Sequence, residues 1–169
     1  VAGLGRIEDA GLLTRRPLDG KSHSLHLTEA GEAKLAEARA TVDATWNDGI
    51  RYFDTAPLYG AGLAELRLGE ALAERPRADY VISTKVGRLI LDEKEDVSAR
   101  DQGEKGGLFA HGRDNRVVND YSYDATLRSI EDSLERLRTD RIDIAWVHDV
   151  AQDFYGDSWL EKFESARTG

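Results

Sequence analysis

The sequence predicts an α/β protein built on a parallel β-sheet. Three β-rich runs alternate with stretches of helical periodicity, and these runs cover residues 50–54, 80–85 and 142–148. Strands that alternate with helices form a parallel sheet with right-handed crossovers, so their carboxyl ends lie at one edge. The three runs end in Asp54, Lys85 and His148. We therefore expect a polar cluster at that edge.

Length and composition are those of a globular protein. The chain has 169 residues, 40% hydrophobic and 33% charged, which suits one domain or two small ones. No apolar run approaches the roughly 18 residues of a membrane span, and no signal peptide is visible. Without cysteine there is no disulfide or thiolate site, as expected of a cytoplasmic protein. His23, His26 and His111 lack partners at metal-ligand spacing, so we predict no metal site.

The charge is unevenly distributed along the chain. Residues 1–40 carry six basic and six acidic side chains, whereas residues 41–169 carry 17 and 26, which accounts for the net charge of −9. An acidic main body argues against broad nucleic-acid binding. The change in composition predicts two segments, residues 1–37 and residues 38–169.

The first segment is predicted to contain a β-hairpin. Residues 4–11 have the pattern of a last helical turn ended by Gly11. Residues 12–16 and 21–28 then form two strands around the turn Pro17-Leu18-Asp19-Gly20.

This segment resembles the wing of MarR-type winged-helix transcription regulators. The resemblance lies in A-G-L-L-T-R-R-P, D-G-K-S-H and L-H-L-T-E-A-G, and covers about residues 1–40. It implies that Arg15, Arg16 and Lys21 contact the DNA backbone. The base-reading helix of that family would precede this segment, so at most weak DNA binding is expected. A plain hairpin with solvated basic residues is the alternative.

Three helices are predicted after the hairpin. The first begins at Glu29 after a Thr28 cap, ends at Gly49 and has an apolar stripe of Leu35, Ala38, Val42 and Trp46. The second covers residues 63–74 and is stopped by Pro76. The third, residues 123–137, is capped by Ser122 and places Leu127, Ile130, Leu134 and Leu137 on one face. Residues 88–121 have no clear period and predict a long irregular excursion.

The strand that ends at Asp54 is followed by a proline turn that presents Tyr59. Each polar residue at the predicted edge has an ordinary structural explanation by itself: a helix cap, half-buried packing, a solvated lysine or a core histidine. Together they suit proton transfer. An ammonium stabilises a phenolate and makes the phenol a better proton donor, a carboxylate holds the ammonium, and an imidazole orients a carbonyl oxygen. Such a set serves carbonyl reduction with a nicotinamide cofactor.

The second segment resembles the aldo-keto reductase family over about residues 38–169. The motifs are G-I-R-Y-F-D-T-A-P-L-Y-G, A-E-L-R-L-G-E-A-L, S-T-K-V-G-R, Y-D-A-T-L-R-S-I-E-D-S-L-E-R-L and D-R-I-D-I-A-W-V-H-D. They are similar to the branch of aldose, fucose and pyridoxal dehydrogenases. Ala64 stands where the motif usually has serine, and Glu65 is kept.

The resemblance implies an incomplete (β/α)8 TIM barrel that contains only the second to fourth strands. A β-hairpin and helix of winged-helix type are expected to precede it. The resemblance also implies a catalytic tetrad of Asp54, Tyr59, Lys85 and His148, with Tyr59 as general acid/base. NADP or NAD is the expected cofactor, with Asp54 and Lys85 beside it and the remaining cofactor residues on strands absent from this sequence. The expected substrate is a small carbonyl compound or sugar.

Three functions remain open from the sequence. The first is an NAD(P)H-dependent oxidoreductase, active if a second copy supplies the rest of the barrel; self-association would also cover the open sheet edges. The second is an inactive fusion remnant, with two fragments joined near residues 38–40. The third is a fragment of a DNA-binding regulator.

Overall fold

A computed structural model describes residues 13–17, 23–27, 29–95 and 112–168. In chain order the strands are β1 Leu13–Pro17, β2 His23–Leu27, β3 Tyr52–Asp54, β4 Val81–Val86, β5 Arg88–Lys94, β6 Asn115–Asn119 and β7 Ile144–Val147. The α-helices are α1 Glu29–Asn47, α2 Leu63–Leu72, α3 Tyr123–Leu137, α4 Gln152–Tyr155 and α5 Trp159–Thr168. Two short 3₁₀ turns lie at Arg77–Asp79 and Gly156–Ser158.

The predicted parallel sheet is confirmed, with β4 between β3 and β7. Asp54 of β3 lies beside Ser83 of β4, and Lys85 lies beside Trp146 of β7. Because both pairings are parallel, the carboxyl ends of all three strands meet at one rim, as the alternation of strands and helices predicted.

The core lies between this sheet and helices α1 to α3. It comprises Phe53, Leu72, Tyr80, Ile82 and Leu137, with Val42, Trp46, Leu68 and Ile142 packed against it. Gly69 of α2 makes the close packing possible, since a Cβ there would lie 2.6 Å from the backbone of Leu137. The apolar stripe predicted for α1 is confirmed, because its four members are the half-buried apolar residues of that helix.

The predicted hairpin is also present. Strands β1 and β2 pair antiparallel, with Leu13 opposite Leu27. Arg15 and Arg16 lie in β1, whereas Lys21, the predicted helical turn at residues 4–11 and the Thr28 cap lie outside the described residues.

The structure corrects the prediction of a long irregular excursion over residues 88–121. Instead of a wholly irregular excursion, β5 and β6 form an antiparallel pair with a register shift between Ile90 and Lys94. Sequence periodicity missed them because β5 has a short apolar run that continues into charged residues, and its partner lies about 25 residues away.

Helix α3 has the predicted bounds and cap, but a different buried face. Ser122 Oγ accepts a hydrogen bond from the backbone N–H of Ala125 at 3.4 Å. The buried residues of the helix are Ala125, Ser129, Ser133 and Leu137. Leu127, predicted to be in the apolar stripe, is 45% exposed, so the prediction was wrong for it. Small side chains let this helix approach the sheet closely, and hydrophobicity alone does not reveal that.

Strand β7 is an exposed edge in the part of the chain that the structure describes. Trp146 and Val147 are 51% and 47% exposed, and Phe154, Leu160 and Phe163 of the following helices are also exposed. None of the helices in the described ranges is both long and apolar enough to cross a bilayer.

Candidate active site

The carboxylate of Asp54 is held from two sides at the rim. It is the last residue of β3, and its Oδ2 accepts a hydrogen bond from Lys85 Nζ at 2.7 Å. Its Oδ1 accepts a short hydrogen bond from the hydroxyl of Ser83, a fully buried residue of β4. The hydroxyl of Tyr52 meets Ser83 Oγ at 2.9 Å from the other side. The parallel register of β3 and β4 therefore fixes the orientation of the carboxylate.

Lys85 connects this carboxylate to the phenol of Tyr59. Its ammonium also donates to the backbone oxygen of Thr55 at 2.9 Å and lies 5.0 Å from the centre of the Tyr59 ring. The side chain is only 16% exposed. Burial lowers the pKa of Lys85, but hydrogen bonds and charge interactions with Asp54 and Tyr59 outweigh it and raise the pKa above its ordinary value. Lys85 is therefore a fixed positive charge at neutral pH.

Tyr59 is placed by the turn that follows β3. Its N–H donates to the oxygen of Ala56 at 3.1 Å, and its own oxygen accepts from the N–H of Ala64 at the start of α2. The turn thus connects the strand to the helix and presents the phenol between them. The rings of Tyr59 and His148 are nearly perpendicular, at 88°, with their centres 5.9 Å apart.

His148 directly follows β7 and is buried, with 5% of its surface exposed. Its Nε2 lies 3.3 Å from Asp149 Oδ2, whereas its Nδ1 is buried without a hydrogen-bond partner among the described residues. Burial lowers the pKa of His148; Asp149 opposes this, and the charges of Arg88 and Lys85 add to it. A neutral imidazole therefore faces the phenol at neutral pH.

Arg88 is a residue of this region that the sequence analysis missed. It is 1% exposed, and its Nη1 donates to the hydroxyls of Tyr121 at 2.7 Å and Tyr155 at 2.5 Å. The guanidinium also lies 4.8 Å from the centre of the Phe154 ring. A charged residue after a strand predicts exposure. The aromatic residues that enclose this one come from 33 to 67 positions later, so no local signal identified it.

A buried ion pair lies behind β4, in contact with Thr84, the residue before Lys85. Glu65 of α2 is fully buried and accepts hydrogen bonds from Thr84 Oγ1 and Arg136 Nε, both at 2.6 Å. It therefore joins α2, β4 and α3 through one carboxylate. The sequence analysis noted Glu65 only as part of a motif.

The structure brings Asp54, Tyr59, Lys85 and His148 together at one rim of a parallel α/β sheet. A carboxylate, an ammonium, a phenol and an imidazole in one place are residue types suited to proton transfer. The chain belongs to the aldo/keto reductase family, whose model matches residues 24–167. Members of this family use NAD(P)H.

Relatives of known activity support this assignment. The chain is 43% identical over 125 residues to pyridoxal 4-dehydrogenase from Microbacterium luteolum, covering 72% of this chain and 36% of the relative. It is 44% identical over 114 residues to D-threo-aldose 1-dehydrogenase from a Pseudomonas species, covering 67% and 34%. The chain thus spans about a third of the length of these curated relatives.

A solved structure supports the fold. The holo form of aldo-keto reductase AKR11C1 from Bacillus halodurans matches with a TM-score of 0.51 and 30% identity, covering 92% of this chain and 47% of that one. A match of this extent includes part of residues 1–37. The family match likewise begins at residue 24, so the boundary predicted near residue 38 falls inside it.

Proposed function

We propose that this chain carries the proton-transfer part of an NAD(P)H-dependent carbonyl/alcohol oxidoreductase site. The observation that supports this most directly is the position of Lys85 Nζ, 2.7 Å from Asp54 Oδ2 and 5.0 Å from the centre of the Tyr59 ring. A carboxylate that holds an ammonium beside a phenol makes the phenol able to give and take a proton at neutral pH.

In the proposed mechanism Tyr59 is the general acid/base. Its hydroxyl protonates the carbonyl oxygen in reduction, and its phenolate takes the alcohol proton in oxidation. Lys85 stabilises the phenolate, and Asp54 keeps Lys85 charged and in place. The imidazole of His148, whose ring centre lies 5.9 Å from that of Tyr59, orients the substrate oxygen.

The residues at the rim fit the nicotinamide end of the cofactor, which would supply the hydride. The side chain of Asp54 is 42% exposed and leaves carboxylate oxygen at the rim for a cofactor amide. We assign Asp54 and Lys85 to cofactor contact, and NADP and NAD are both compatible. Small aldoses and pyridoxal are the proposed substrates, because named relatives act on them.

Self-association is proposed to accompany activity. Trp146 and Val147 are about half exposed on the edge strand, beside the rim that carries His148. A second copy that covers this edge would remove apolar surface from water and enclose the site. The proposed compartment is the cytoplasm, in keeping with the lack of cysteine.

The proposal is tested by turnover of pyridoxal and of a small aldose with both nucleotides, comparing Tyr59→Phe with Tyr123→Phe. The control removes the same hydroxyl from a residue that is 63% exposed at the start of α3. We expect Tyr59→Phe to abolish turnover and Tyr123→Phe to retain it. Equal rates for Tyr59→Phe and the parent would refute the assignment.

The winged-helix interpretation stays a second, separate prediction. The β1–β2 hairpin followed by α1 is compatible with it, and Arg15, Arg16 and Lys21 would contact phosphates. It predicts only weak binding of duplex DNA that disappears as salt is raised. An electrophoretic mobility shift assay at low salt tests this prediction, and an unshifted duplex would refute it.

A further inference from the structure

Arg88 is a buried cation whose hydrogen-bond partners among the described residues are all neutral. Its guanidinium donates to two phenol hydroxyls, and its Nη2 is buried without a hydrogen-bond partner in the part of the chain that the structure describes. A buried charge of this kind is costly, because it loses its hydration and gains only partial compensation from hydroxyls and aromatic rings. Arg88 is connected to His148 through Tyr121, which indicates a role in the candidate site.

The hydroxyl of Tyr121 connects Arg88 to His148. It accepts from Arg88 Nη1 at 2.7 Å and lies 2.6 Å from the backbone oxygen of His148 and 3.2 Å from that of Asp149. A carbonyl oxygen only accepts, so the hydroxyl proton points toward these two carbonyls. Accepting from a cation strengthens the hydroxyl as a donor, since successive hydrogen bonds polarise one another.

The backbone at this point needs such support. Asp149 has a φ of 45°, a left-handed conformation that is unfavourable for a non-glycine residue. This conformation sets how the chain leaves β7 directly after His148, and the two hydrogen bonds from Tyr121 hold it there. Tyr121 is itself fixed, because its ring packs directly on Gly87, where a Cβ would lie only 2.1 Å from Tyr121 Cε1.

We propose that Arg88 and Tyr121 are positioning residues that hold the imidazole of His148 edge-on to the phenol of Tyr59. The chain of contacts runs from the guanidinium through the Tyr121 hydroxyl to the two carbonyls that fix the end of β7. This inference rests on the proposed function, since the relative orientation of the two rings matters for proton transfer between them and the substrate.

The experiment is NMR of the full 169-residue chain without nucleotide, comparing Tyr121→Phe with Tyr155→Phe. Tyr155 is the matched control, because its hydroxyl also contacts Arg88 and Tyr121, whereas Tyr121 is the residue that donates to the backbone oxygens of His148 and Asp149. In the parent and in Tyr155→Phe we expect cross-relaxation between the ring protons of His148 and Tyr59. In Tyr121→Phe we expect it to fall several-fold while the thermal melt stays cooperative.

A Tyr121→Phe variant that keeps the parent cross-relaxation would overturn the proposal. If that variant does not fold, hydrogen exchange of the Tyr121 hydroxyl in the parent protein tests the proposal instead. A slowly exchanging Tyr121 hydroxyl proton, as expected of a donor to two backbone carbonyls, supports the proposal, and a rapidly exchanging one contradicts it. These readouts need no turnover, so they separate this inference from the proposed function. In active protein, Tyr121→Phe should lower kcat roughly 10- to 100-fold, as loss of supporting partners does elsewhere, with the KM for nucleotide unchanged.

Discussion

The buried ion pair behind the candidate site gives a quantitative prediction of stability. Glu65 has no exposed surface and Arg136 has an 11% exposed side chain, and the two are joined at 2.6 Å. In Glu65→Gln the guanidinium of Arg136 stays largely buried without a carboxylate. Thr84 keeps an acceptor only if the new amide turns its oxygen toward it.

The expected cost follows from this burial. Removing one partner of a buried, hydrogen-bonded ion pair typically costs about 3–5 kcal/mol, because the other charge is left uncompensated. A chain of this size is stable by about 5–15 kcal/mol, so the variant would lose a large fraction of its stability. The double variant Glu65→Leu/Arg136→Met removes both charges together, and we expect it to be more stable than Glu65→Gln.

Denaturant unfolding followed by far-ultraviolet circular dichroism measures these values, provided that the m value is unchanged. Glu164→Gln is the control, since its partner Arg167 lies three residues away on an exposed helix face. There we expect a loss of about 0.2–0.5 kcal/mol. A cost below about 1 kcal/mol for Glu65→Gln, as for a surface pair, would refute the reasoning.

Three further predictions concern residues near the rim. Gly87→Ala should lose more than about 2 kcal/mol in the same unfolding assay, because its φ of 96° disfavours other residues and the new Cβ meets the ring of Tyr121; parent-like stability would contradict this. His148 has a lowered pKa, so the unfolded state binds its proton more readily. The contribution of His148 to the free energy of unfolding is therefore present at pH values above the ordinary histidine range and is lost as pH falls through and below that range. We expect His148→Asn to flatten the change in unfolding midpoint between pH 7.5 and 5.5. Ser122→Ala should cost about 0.5–1 kcal/mol, since the cap hydrogen bond is long, and an unchanged midpoint would show that the cap contributes nothing.

Local patterns predicted the sheet and the bounds of α3 well. Ser122 is a strong cap signal, and the three strands are marked by β-branched and aromatic residues, so the carboxyl-end rim followed from topology alone. Asp54, Lys85 and His148 were therefore located by their place in the strands, and Tyr59 by the short turn after Asp54.

Long-range contacts were beyond sequence reasoning. The sequence around Arg88 predicts an exposed charge, because the fold alone brings Tyr121 and Tyr155 into contact with it. Leu127 fits a helical stripe, yet the buried face of the helix is mostly a row of alanine and serine side chains, because small residues allow a closer approach. In each case tertiary packing, which periodicity does not encode, decided the outcome.

Binding of NADPH and NADH to the purified 169-residue chain tests the central claim most directly. Titration followed by nucleotide fluorescence, with Asp54→Asn beside the exposed control Asp48→Asn, measures whether the rim forms a cofactor site. We expect saturable binding that Asp54→Asn weakens and Asp48→Asn does not. No saturable binding of either nucleotide would contradict the account, since the four rim residues would then not form a cofactor site.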